Sequence, residues 1–249
     1  MVSFQRYVSP DLTHFVGRRL TNHEERYRRL RQIIKDGVLK AEPLSIQGRK
    51  TYYGLAMYTG RQLSSNNGYE GSFVCFCDIP VGDMAVHMEK YSHFGLAFSK
   101  EFLAEKGAIP VMYISFLGRP ALLPFPHYGR RRVGSQEVAF DEFWRCFNRL
   151  RGPIERLARD PSQRQTALDL KKIMYFLDFN ILSHLKFFDH NLHDAAKRNY
   201  YMEREWRVIR NVRFGLGDIQ RIIIPERFRH RLRRAFPRYD RELFFSDWR

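Results

Sequence analysis

Between residues 135 and 188 the chain reads as a helical block, and its strand-like runs fall on either side of that block. Phe140, Phe143, Trp144, Phe147 and Leu150 recur three and four residues apart, the spacing of one helix face. Gly152-Pro153 predicts a break. A second long helix is predicted over 161–188, apolar along much of its length and therefore buried. Apolar or alternating runs at 12–16, 73–77, 95–99 and 110–115 precede the block. Others at 204–210, 219–224 and 242–245 follow it. Strands that flank helices, rather than alternate with them, predict an α+β fold. We expect one α+β domain over residues 1–249 with a helical insertion at about 135–188.

Local signals place the rest. Thr21-Asn22-His23-Glu24 has the capping-box pattern. The helix after it carries Tyr27, Leu30, Ile33 and Ile34 on one face and stops at Gly37. Residues 41–72 hold Pro43, Gly48, Gly54, Gly60 and Gly68 with no stable period. They read as a long mobile loop with aromatic points at Tyr52, Tyr53 and Tyr58. Pro225 is placed as the first residue of a short Arg-rich helix that carries Arg227, Arg231 and Arg234.

Composition limits the function classes. At 249 residues and 44% hydrophobic, the chain can bury a core without needing two domains. Its net charge of +16 comes mainly from arginine, whose planar fork suits phosphate oxygens. The expected partner is nucleic acid or an acidic or toxin protein, the alternative being a solvated surface. Arg130, Arg131 and Arg132 in one loop, with Arg227, Arg231 and Arg234, are the candidate contacts. Three cysteines, Cys75, Cys77 and Cys146, form no spaced framework and fit a reducing compartment. The opening residues lack an apolar leader, and no run of about 18 apolar residues occurs. A cytoplasmic protein without membrane association is expected.

Two constellations could carry chemistry. Glu203-x-Glu205 leads into a strand, and spacing two puts both carboxylates on one strand face, which Glu205 shares with Arg207. Such a carboxylate can stabilise an oxocarbenium-like transition state. The plain alternative is a structural pair between Glu205 and Arg207. His14, near Arg18 and Arg19, could hold a ribose or a phosphate, or could be an ordinary half-buried histidine. His184, Asp189, His190, His193 and Asp194 cluster near a helix end but match no strong zinc spacing, so no metal is expected. Walker-type loops and Gly-x-Ser-x-Gly elbows do not occur.

Several segments together resemble the abortive-infection AbiGi family of bacterial phage-resistance proteins. They are Tyr7-Val8-Ser9 with Leu12 to Arg18, Val74 to Pro80, Lys90 to Phe98, Lys186 to His190, and Tyr200 to Arg207. The resemblance implies an anti-phage role as the antitoxin-like half of a two-gene system, whose partner resembles a nucleotidyltransferase toxin. More distantly, the early strand with His14, the turn from Leu30 to Gly37 and the late Glu203-x-Glu205 resemble ADP-ribosyltransferase folds of the DarT type. That resemblance implies a mixed or antiparallel split sheet and an enzyme that uses NAD to modify nucleic acid or protein. His14 would then bind NAD, Glu205 would be catalytic and Glu203 the second acid. Arg18 would join the cofactor site, and the aromatic residue that stacks on nicotinamide would be one of Tyr52, Tyr53 and Phe76. The usual Ser-Thr-Ser stretch is absent, and Cys75 to Asp78 stands in its place.

Overall fold

The structure is a computed structural model that describes residues 9–42, 44–46, 49–51, 55–58, 60–116, 136–193, 196 and 199–247. Tyr53 and the Arg130–Arg132 loop lie outside the described residues. The chain divides into two compact units. The first comprises Met1–Gly54, Ser72–Pro110 and Met202–Arg249; the second comprises Leu55–Gly71 and Val111–Tyr201.

The first unit is built on a seven-stranded mixed sheet. Its strands run, edge to edge, Glu242–Phe245, Ile219–Ile224, Gly95–Ser99, Asp11–Phe15, Val74–Cys77, Glu205–Val208 and Ile109–Pro110. Every neighbouring pair is antiparallel except Ile219–Ile224 with Glu242–Phe245, which is parallel. This is α+β with a mixed sheet, in which Asp11–Phe15 and Val74–Cys77 join at the single pair Thr13 and Cys77.

Alternation along these strands divides the core. Leu12, Val74, Phe76, Leu96, Phe98, Val208, Ile222 and Ile224 build one face and pack with helix α1 (His23–Asp36), α3 (Lys100–Glu105) and α6 (Arg229–Ala235). Cys77 and Ile223, with Phe15 and Phe244, build the other against Met84, which precedes α2 (Ala85–Lys90), and Met88 on it.

The first helix forms as expected, with one change of cap. Asn22, not Thr21, accepts the Glu25 N–H at 2.9 Å, and Glu24 and Glu25 favour the positive helix start. Tyr27, Leu30, Ile33 and Ile34 are its buried stripe. Gly37 ends it in the left-handed region at φ 61°, and a Cβ there would meet the Phe214 carbonyl oxygen at 2.7 Å. The 41–72 stretch is not a plain loop. Leu44–Ile46 pairs with Arg49–Thr51, and Leu55–Met57 with Tyr69–Gly71, both antiparallel.

The second unit holds the helical block. Helix α4 (Gln136–Leu157) runs through Gly152-Pro153 instead of breaking there. Proline inside a helix costs about 3 kcal/mol. Burial of Ile154 with Trp144, Phe147 and Met174 offsets that cost, and only four residues follow the proline. Helix α5 (Arg164–Asn180) stops well short of 188. Leu185–Phe188 instead forms a strand parallel to Met112–Ser115, because a strand partner wins over helix continuation there.

Buried polar groups pin the 55–71 segment to these helices. Asp141 accepts from the Ser64 N–H and hydroxyl. Trp144 donates to the Arg61 carbonyl. Asn66, at φ 60°, exchanges two hydrogen bonds with the Phe187 backbone through its side-chain amide.

Candidate functional site

The register of the first unit's sheet decides which side chains can meet. Thr13 lies opposite Cys77, and Cys77 opposite Glu205, so these three share one face. Phe76 lies opposite Trp206 and one residue from Cys77, which puts both on the other face. His14 belongs with them: its ring packs 5.8 Å from Phe76, and its Nδ1–H donates to the Cys75 carbonyl at 2.8 Å. Burial pushes the His14 pKa down, and the charge of Arg29 on α1 pushes the same way.

Glu203 and Glu205 do stand near one another, but strand alternation is not the reason. Glu203 ends a 3₁₀ turn (Tyr201–Glu203), and Arg204 has a left-handed φ of 42°. A non-glycine residue in that region carries backbone strain. The strand begins only at Glu205. The Arg204 carbonyl accepts the Asp78 N–H at 3.1 Å, which fixes this junction against the neighbouring strand's end.

Each acid is matched by a cation. Arg207 grips Glu205 with two hydrogen bonds, Nε to Oε1 at 2.8 Å and a second guanidinium N–H to Oε2 at 3.2 Å. Lys90 lies 2.8 Å from Glu203 Oε1, and the Tyr91 hydroxyl donates to the same oxygen. Both carboxylates are buried, at 7% and 8% exposure. Burial, then the charge of Glu203, raises the Tyr91 pKa, so its hydroxyl stays a donor. Phe15 stacks on Tyr91 at 5.9 Å, and Arg18 lies over its ring at 4.9 Å. Nearby, Asp78 pairs with Lys100 at 2.8 Å.

The expected site residues therefore separate. Arg18, Glu203 and Glu205 gather around Tyr91 on one sheet face. His14 and Phe76 lie on the other. Glu205 makes the structural pair with Arg207 that spacing two allowed. Tyr91 is the organising residue that sequence reasoning missed, since it comes from a segment 112 residues away from Glu203. Arg227, Arg231 and Arg234 are exposed on the short C-terminal helical segment. Among the described residues no group of three or more His, Cys, Asp or Glu is placed to hold a metal, and no helix is long and apolar enough to cross a membrane.

A second feature escaped the sequence pattern. Helix α5 buries only Ala167, Met174 and Asp178. Leu168, Leu170, Ile173, Tyr175 and Phe176 stay exposed, the last three above half. Its inner side is anchored by Asp178, which accepts from Arg151 at 2.8 Å and Tyr69 at 2.6 Å.

The fold and site thus define an α+β protein with a mixed sheet, an ion-paired acidic cluster and an uncovered apolar helix. Its residues 57–235 match the family described as "Putative abortive phage resistance protein AbiGi, antitoxin", and the chain belongs to that family. No curated protein and no solved structure matches it.

Proposed function

We propose that this chain is the antitoxin of an abortive-infection pair and acts by binding a toxin protein through the outward side of α5. The exposure of α5 carries this reading. The apolar residues of a helix are normally turned toward the core. Here one side packs against the second unit's core, while Leu168, Ile173, Tyr175 and Phe176 face solvent. Phe143 and Leu150, seven residues apart on α4, add to the exposed apolar surface of the same unit. Exposed apolar surface on this scale marks a protein-binding site. Aromatic residues such as Tyr175 and Phe176 are typical of the residues that dominate binding energy. The family description supplies the kind of partner.

The paired state of Glu203 and Glu205 supports a role that needs no catalysis by them. The test is growth rescue against a nucleotidyltransferase-like toxin encoded beside the chain's gene. Wild type, Glu205→Gln and His14→Ala should rescue. Ile173→Asp with Phe176→Asp should not, although the doubly substituted protein keeps its melting temperature. Rescue that survives the α5 changes but is lost with Glu205→Gln would overturn the reading.

A further inference from the structure

Two helical segments far apart in sequence join their arginines into one surface. On α1, Glu24, Arg28, Arg31 and Lys35 follow at spacings of four, three and four, which is a single helix stripe. Around α6, Arg227, Arg231 and Arg234 follow at four and three. Arg231 ties the two stripes together. It donates to Glu24 at 2.6 Å, and its guanidinium lies 4.7 Å from the Tyr27 ring centre. Arg31 lies over the same ring at 5.9 Å. Glu24 is the acid within this stripe. The Arg231 hydrogen bond, then the charges of Arg28 and Arg227, hold its carboxyl below the usual range.

The five remaining cations, Arg28, Arg31, Lys35, Arg227 and Arg234, are all exposed. Lys35 lies about 10 Å along the helix from Arg28, or roughly three base steps of a duplex. The rings beneath the arginines, Tyr27 and Phe228, are 0% and 1% exposed and stack on each other at 4.7 Å. They offer no platform for an unstacked base. A cationic surface whose rings are buried suits phosphate oxygens and not base faces.

We propose that the α1–α6 face binds the phosphate backbone of double-stranded nucleic acid without reading its sequence. Arginine forks engage successive phosphates, while Arg231, held by Glu24, keeps the two stripes in register. This surface shares no residue with α5.

The test is fluorescence anisotropy of the full chain with labelled DNA and RNA duplexes of about 20 base pairs, between 50 and 200 mM salt. Five phosphate contacts predict an affinity loss of roughly 500-fold over that range. Changing Arg28, Arg31, Arg227 and Arg234 together to Glu should abolish binding to both duplexes. The corresponding Gln set should flatten the salt slope to about one contact and serves if the Glu set melts early. Reversing Arg145, Arg149, Arg156 and Arg164 on α4 and α5 should change neither. A preference for DNA or for RNA identifies which duplex is the ligand. Absence of wild-type binding at 50 mM salt would overturn the proposal, as would an unchanged slope in the Gln set. So would displacement of the duplex by polyglutamate at equal charge, which would assign the face to an acidic protein.

Discussion

His14 and Glu205 project from opposite faces of one sheet. Glu205 lies across from Cys77 and Cys77 from Thr13, while His14, the next residue, turns toward Phe76 and α1. The sheet separates the two side chains: His14 bonds the Cys75 carbonyl, while Glu205 bonds the Arg207 guanidinium.

Double-mutant cycles should show this separation. Substitutions at independent sites add within about 0.5 kcal/mol, so His14→Ala and Glu205→Gln, on opposite faces by register, should be additive in urea unfolding. Glu205→Gln with Arg207→Gln should instead couple by about 1 kcal/mol or more, because the pair is buried and bidentate. Coupling of His14 to Glu205 as large as that would contradict the register.

Stability should fall as pH drops below neutrality. Burial is the leading cause that lowers the pKa values of His14, His23 and His87. The unfolded chain therefore binds more protons below about pH 6.5, and the stabilising contribution, complete above that value, is lost as pH falls. Asp11, whose carboxyl is raised by burial, acts oppositely but only in the carboxylate range. The melting temperature should decline from pH 7.5 to 5.5, and His14→Gln should weaken the decline. A flat profile in the wild type would refute this.

The two strand cysteines should differ sharply in reactivity. Cys75 is exposed, while Cys77 is buried and its thiol is pushed up to about 12, chiefly by burial. Thiolate is the reactive form. Maleimide at pH 7.5 should label Cys75 in the folded protein and leave Cys77 unmodified until denaturant is added. Peptide mass mapping of labelled folded protein reads this directly, and equal labelling of both would show that Cys77 is not buried.

Asp178→Ala should be among the costlier polar substitutions. The carboxylate side chain is 1% exposed and joins Arg151 to Tyr69. Removing one member of a buried pair costs about 3–5 kcal/mol. Because Arg151 is 24% exposed and can recover water, the lower end, about 3 kcal/mol, is expected. Chemical unfolding with wild type as reference measures it. A loss of only a few tenths would mean that the network contributes little.

Much of the secondary structure was legible from local pattern. The apolar runs at 12–16, 73–77 and 95–99 are strands within a residue at either end, and 219–224 is a strand as expected. The stripe of α1 and its stop at Gly37 followed from period and from glycine's freedom at positive φ. The adjacent Glu205 and Arg207 pair was also readable, since its geometry lies within one strand. Local pattern failed wherever a distant segment decided the outcome. Pro153 stays helical because Ile154 packs into a core drawn from several elements, and α5 ends early because Leu185–Phe188 finds Met112–Ser115.

By itself, then, the sequence determined the α+β class, the first helix, most strands of the main sheet and the basic character of the surface, all of which follow from side-chain period and charge. Only the tertiary structure decided which residues meet. Tyr91 reaches Glu203 across 112 residues, Arg231 reaches Glu24 across 207, and His14 is parted from Glu205 by the sheet. The reason is physical: period assigns a residue to one of two faces of its own strand or helix, but only the pairing register between strands fixes which face of one matches which face of another.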